Sequence, residues 1–197
     1  VSNLTVETLR DREARHAAID DLARLRITVF REWPYLYDGS VDYEQRYLSA
    51  FLDGADAALV IARDGSAIIG AATASPMRGQ DEPLQAPFRA QGIEVDRLFY
   101  FGESVVLGAY RGHGLGHAFF DAREAAAREA GAMATCFCGV IRPADHPLRP
   151  AEARDLGPFW RKRGYQPLEG VMAEYRWKDI DQTDETSHQM QFWSRDL

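Results

Sequence analysis

The stretch Arg111–Gly116, RGHGLG, constrains this chain more than any other feature. It follows an apolar run, FYFGESVVL (99–107), and precedes an alanine-rich segment, HAFFDAREAAAREA (117–130), that reads as a helix. A strand that enters a helix through glycines is an anion site. The first amides of a helix have no internal partners, and the helix dipole puts partial positive charge there. Glycines let a phosphate approach the backbone and tolerate unusual dihedrals. A Walker A loop would need Lys followed by Ser or Thr, which this loop lacks. A dinucleotide fingerprint would need G-x-G-x-x-G, whereas Gly112, Gly114 and Gly116 fall at every second position. A glycine turn that serves only close helix–sheet packing is the plain alternative.

The elements around this turn alternate in type. LTVETL reads as a first strand. Residues 13–33 carry Ile19, Leu22, Leu25, Ile27, Val29 and Phe30 at helical spacing and read as one helix ending near Pro34. VDYEQRYLSAFLDG reads as a second helix, closed by Gly54. AALVIARDGSAIIGAATASP reads as two strands around the hairpin signal RDGS. Residues 77–96 read as a loop with room for a short helix. RLFYFGESVVL is the fourth strand, Gly114–Ala130 a helix, and MATCFCGVI the fifth strand. RPADHPLRP holds three prolines in nine residues and excludes regular structure. AEARDLGPFWRKRG reads as a helix interrupted or started late at Pro158, and two strands, YQPLEGVMAEYRW and HQMQFW, complete the chain. The expected class is α/β with a mixed sheet. If strand five runs parallel to strand four, the helix between them is a crossover.

Totals narrow the function. The 197 residues fit one domain over 1–197, with a net charge of −7 and a pI of about 5.3. No long Lys/Arg cluster suggests nucleic acid as a partner, and no apolar run approaches the roughly 20 residues that span a membrane. The start, VSNLTVETLR, lacks the basic and apolar regions of a signal peptide, so the expected place is the cytoplasm. Cys136 and Cys138 lie two apart in a strand, so they share a face without disulfide geometry. No histidine falls at a ligand spacing with them, and no metal is expected.

RGHGLG resembles R/Q-x-x-G-x-G/A, the pyrophosphate loop of the GNAT superfamily of acyl-CoA-dependent N-acyltransferases. Its setting between a strand and a helix agrees, and FWRKRGYQP resembles a second segment of the same family. The resemblance covers almost the whole chain. It implies a central sheet splayed between strands four and five, with acetyl-CoA as co-substrate lying in the splay. It implies that backbone groups of Val105, Val106 and Leu107 meet the pantetheine and acetyl group. The amides of Gly112, His113, Gly114, Leu115 and Gly116 would meet the pyrophosphate, with Arg111 shaping the turn or its charge. His113 and His117 flank the loop. His117 also belongs to a polar helical face with Asp121, Glu124 and Arg128, which reads as solvated.

The implied reaction transfers acetyl to a primary amine of a small molecule or protein by direct attack. An alkylamine with pKa about 10.4 must lose a proton first. Family members often place a glutamate base on strand four, where this chain has Glu103. On a regular strand Glu103 shares a face with Phe99, Phe101, Val105 and Leu107. Burial among apolar groups makes a carboxylate a better base near neutrality. The alternative is a bulge at Gly102 that turns Glu103 to solvent or to an arginine. The family often supplies a tyrosine as acid in the second segment, but this chain has Phe159-Trp160 there. Tyr165, Tyr110, Ser104 or water are the replacements. Trp33, Tyr35 and Tyr37, beside Asp38, Asp42 and Glu44, could attract a cationic amine, or simply connect two helices. His146 is a candidate relay base. A non-catalytic acyl-CoA sensor on the same fold is the competing function, a different nucleotide binder is a third, and a homodimer is left open.

Overall fold

The computed structural model describes residues 4–197. Seven strands form one sheet in the order β1-β2-β3-β4-β5-β7-β6. They are β1 (Leu4–Leu9), β2 (Ala58–Asp64), β3 (Ala67–Pro76), β4 (Leu98–Val106), β5 (Ala134–Val140), β6 (Gln166–Trp177) and β7 (Thr186–Asp196). The helices are α1 (Arg12–Ala17), α2 (Ile19–Phe30), α3 (Val41–Leu52), α4 (Glu82–Ala90), α5 (Leu115–Glu129) and α6 (Gly157–Lys162). The apolar faces of α2 and α3 pack on one side of the sheet, with Leu22, Leu48 and Leu52 against Leu59 and Ile61 of β2. On the other side α5 packs through Leu115, Phe119, Phe120 and Ala126. With both faces covered, β2 reads ALVIA without polar alternation, as a strand buried on two sides does. Among the described residues no helix is long and apolar enough to cross a membrane.

One expected element differs. The helix expected over residues 13–33 is broken at Ala18. The Arg15 side chain, 2% exposed, turns inward there and donates to the carbonyls of Arg10, Gly54 and Ala57. Residues 77–96 hold the short helix for which the sequence left room, α4. Pro83 and Pro87 disguise it in the sequence, because one sits in the first turn and the other inside a short helix. Burial of Leu84 and Phe88 against β5, β6 and β7 outweighs the lost amide.

β4 and β5 are parallel, and they pair over only Leu98–Tyr100 and Ala134–Cys136. Beyond that point β4 stays on β3 as far as Val106 and β5 stays on β7 as far as Val140. The sheet therefore opens into a V between the two strands, as expected from the resemblance.

β4 also carries the bulge. Ala72 faces Ser104 while Ala74 faces Phe101, so two steps of β3 oppose three of β4. Phe99 and Phe101 pack under α5. Val105 packs with α2 and α3 on the opposite side. Of the two orientations open for Glu103, the structure takes the bulge: the extra residue at Gly102 reverses the alternation and turns Glu103 off the face of Phe99 and Phe101 toward Arg26. Only glycine suits this point: a Cβ on Gly102 would lie 2.5 Å from Thr73 Oγ1 and 3.3 Å from the Phe51 ring. Gly102→Val should cost about 1–3 kcal/mol by overpacking, lowering the melting temperature by roughly 2–10 °C. A thermal melt unchanged from wild type would contradict this account of the bulge.

Candidate active site

At the wide end of the V, β4 passes through a short turn, Gly108–Tyr110, into the glycine loop. Gly112 and Gly114 have φ of 83° and 82°, a region that side chains resist. A Cβ on either would meet nothing within 4 Å, so the loop backbone faces open space. The first helical bond of α5 is Ala118 N–H to Gly114 O. Among the described residues, the amides of 112–117 therefore have no protein acceptor. Such a run of free donors at the N-terminus of a 15-residue helix suits a polyphosphate. His113 folds back, with Nδ1 3.2 Å from Tyr110 O and 3.1 Å from Arg111 O. Arg111 donates to Val106 O and pairs with Glu32 at 2.7 Å, which ties the loop to the end of α2. Leu115 is buried and anchors the helix start, while Gly116 faces Phe159. His117 is exposed and packs edge-on against Phe159.

At the bulge, Glu103 turns toward α2 and α3. Its Oε2 meets Arg26 Nη1 at 2.6 Å, and Arg26 Nε meets Glu44 Oε2. Glu44 is 0% exposed, Glu103 5% and Arg26 9%. Burial opposes the Arg26 charge, but Glu103, then Tyr47 and Glu44, hold its pKa above the ordinary value. Glu44 Oε1 and Glu103 Oε1 are buried without a hydrogen-bond partner among the described residues. The apolar surroundings expected for Glu103 are therefore wrong in one respect: a guanidinium stands among them. Sequence patterning missed Arg26, and it named Glu44 only among the acids beside Trp33, Tyr35 and Tyr37. The available signal was one charged residue of opposite sign on the apolar stripe of each of two successive helices, beside Leu22 and Leu25 in α2 and Leu48 and Leu52 in α3.

Four tyrosines surround the narrow end of the V on this side. Tyr100, Tyr35 and Tyr175 pack in one core with Cys138, and Tyr47 packs in the neighbouring α2–α3 core. Burial raises all four phenols, so they stay protonated at neutral pH. Tyr100 Oη lies 3.8 Å from Cys138 Sγ. Burial pushes the Cys138 thiol up to about 12, with Tyr100 opposing that rise only in part.

The other candidates are spread out. Trp33 packs on His146 at 5.3 Å. The loop from Trp33 to Tyr37 is pinned from behind. Arg142 donates to the carbonyls of Pro34 and Tyr35 and forks onto Asp179 at 2.6 and 2.8 Å. Burial, then nearby Glu44, raises the Tyr37 phenol. Tyr110 is engaged by Asp64 at 3.0 Å. Tyr165 is buried under α5, bonded to Thr135 and Glu124, and away from the α2–α3 face. Trp160 packs on Phe137, Trp193 and Gly139. Ser104 is exposed on β4. The face expected to be solvated is not so at Glu124, which is 4% exposed and held by Arg163 and Arg195.

The model for the acetyltransferase (GNAT) family matches residues 19–157. The chain belongs to the GNAT acetyltransferase family. Solved structures agree on the fold. A ribosomal-protein-alanine N-acetyltransferase from Brucella melitensis is 12% identical over 98% of this chain and 99% of its own, with a TM-score of 0.62. The yncA protein of Salmonella typhimurium, solved with its cofactor acetyl-CoA, is 14% identical over 100% and 95%, at 0.59. An aminoglycoside 6'-N-acetyltransferase complexed with coenzyme A is 14% identical over 98% and 96%, at 0.60. No curated protein matches the sequence.

The thiol environment of this GNAT chain gives a direct check. With its pKa near 12, Cys138 holds almost no thiolate at pH 8, and Cys136 is raised by burial as well. Iodoacetamide should label neither cysteine in the folded protein and both after denaturation, as read by intact mass. Rapid labelling of the folded chain would contradict the burial of Cys136 and the protonated state of the half-buried Cys138.

Proposed function

We propose that this chain is an N-acetyltransferase, one domain over residues 1–197, that moves acetyl from acetyl-CoA to a primary amine by direct attack. One arrangement carries the reading. The opening between β4 and β5 has free helix-terminal amides at its wide end and a buried carboxylate with a free oxygen at the bulge. The amides of Gly112, His113, Gly114, Leu115 and Gly116 hold the pyrophosphate, and Arg111 braces the loop. Backbone groups of Val105, Val106 and Leu107 lie along the pantetheine. Membership in the family and the CoA-bound relatives of the same fold support acetyl-CoA as the co-substrate.

Glu103 acts as base, directly or through water. Arg26 fixes one of its oxygens and leaves the other free to accept the proton. The neutral amine nitrogen then bonds to the acetyl carbon, and the carbon–sulfur bond breaks. Backbone donors on β4 meet the charge that develops on the carbonyl oxygen. The thiolate, with a pKa near 8.5, needs only weak help in taking up a proton. Buried, protonated Tyr100 and Tyr175 can supply it, in place of the tyrosine that Trp160 replaces. The protonated Cys138 thiol favours direct attack over an acyl-cysteine route. Trp33, Tyr35 and Tyr37 border the acceptor.

Two measurements test this reading. Acetyl-CoA at a hundred times its Kd should add about 2.7 kcal/mol, or roughly 5–10 °C in melting temperature. NAD and ATP should do much less, and Gly114→Val should abolish most of the shift by forcing a branched residue to φ near 82°. A larger shift with NAD, or full affinity in the variant, would sink the cofactor assignment. Glu103→Gln should lower turnover at neutral pH by about 10² to 10⁴ with little change in acetyl-CoA affinity. Retention of more than about a third of turnover at every pH would remove Glu103 as base. Tight acetyl-CoA binding with no turnover on any amine would favour an acyl-CoA sensor instead.

A further inference from the structure

The opening between β4 and β5 is closed at its narrow end by side chains from both strands. Tyr100 is the last residue of β4 that pairs with β5, opposite Cys136. Cys138 lies two residues further on, where β5 has left β4 and pairs with β7 alone. Tyr100 Oη and Cys138 Sγ lie 3.8 Å apart, so their contact joins the two strands just where they part. Tyr100 is 5% exposed and belongs to the same core as Leu84 and Phe88 of α4 and Phe192 of β7. A ring packed from behind in this way is a fixed wall, because a close-packed interior leaves it no room to step aside.

The α5 side of the same place is closed as well. Phe101 and Phe137, the next residues of the two strands, pack edge-on against Phe120 of α5. Gly139 carries no side chain, and Trp160 takes the space: a Cβ there would lie 2.9 Å from its ring. The opening therefore ends between aromatic walls, with a hydroxyl and a thiol at its floor. Burial keeps both protonated at neutral pH, so these two groups bring no charge to the floor.

We infer that Tyr100 and Cys138 set the acyl length that the opening accepts, admitting acetyl and excluding chains such as hexanoyl. This rests on the reading of acetyl-CoA as co-substrate and adds what selects its acyl group. With the pyrophosphate at the amides of the wide end, the pantetheine arm carries its acyl group toward the narrow end. An acetyl group stops at its methyl. A hexanoyl group adds four methylenes in line, which meet the Tyr100 ring and the Cys138 sulfur. Forcing methylenes into a packed site displaces side chains and backbone, and covering the Tyr100 hydroxyl with them leaves it unpaired. A chain that bent toward α2 and α3 would meet the ions of Glu103 and Arg26, which lose solvation beside apolar groups. Tyr100 is thus a specificity-determining residue for the acyl group, with Cys138 as its counterpart on β5.

Calorimetry with CoA, acetyl-CoA and hexanoyl-CoA tests the inference. Wild type should bind hexanoyl-CoA about tenfold or more weakly than acetyl-CoA, as overpacking implies. Tyr100→Val keeps a residue suited to a strand, removes the ring and leaves an apolar cavity that takes methylenes. It should bring the two ligands within about threefold of each other. A wild-type ratio below about threefold, or an unchanged ratio in Tyr100→Val, would overturn the inference. Should that variant not fold, Cys138→Ala serves: a fall of about twofold or more in the ratio supports the inference, and no change overturns it. A merely structural role for Tyr100 would weaken all three ligands alike and leave the ratio where it was. CoA itself reports on the cofactor reading separately. Equal binding of all three removes only the inference, and binding of none removes the cofactor reading and the inference with it.

Discussion

The Arg26 guanidinium joins three elements, α2, α3 and β4, in the protein interior. It reaches Glu44 on α3 and Glu103 on the bulge of β4 from its own place on α2. The faces of Phe30 and Tyr47 cover it. Removing one partner of such a buried group leaves an uncompensated charge and commonly costs about 3–5 kcal/mol. The orientation of Glu103, the packing of the two helices on the sheet and the shape of the opening beside β4 all depend on that contact.

The bulge sets the direction of everything near it. With regular alternation Glu103 would point toward α5, into the aromatic cluster of Phe101, Phe120, Phe137 and Tyr165. One added residue sends it to the other face instead, while Val106 keeps its contact with the α5 side. Glycine at 102 permits this, because Thr73 and Phe51 leave no room for a Cβ. The same strand thus serves the core beneath α5 at its start and the carboxylate cluster at its middle.

Charge is sorted along the opening. Free amides and a helix N-terminus lie at its wide end, and carboxylates lie at the bulge. A net charge of −7 does not prevent an anion from binding where the local field is made by backbone amides. Solved structures only 12–14% identical to this chain share its fold.

The sequence by itself determined the family, the order of most elements and the glycine loop; it made α5 a crossover only if β4 and β5 ran parallel, and the structure met that condition. Those features are local: a loop needing positive φ at Gly112 and Gly114 announces itself in six residues. It left room for α4 without its bounds, because proline masks a helix that tertiary burial of Phe88 stabilises. It left the two orientations of Glu103 open, and only the register of β3 against β4 decided between them. Arg26, Glu44 and Glu103 are brought together by packing across 18 to 77 positions of chain, and nothing in local spacing encodes a contact of that range. Tertiary structure decided which charges meet, because a buried ion finds its partner through the core that both must enter.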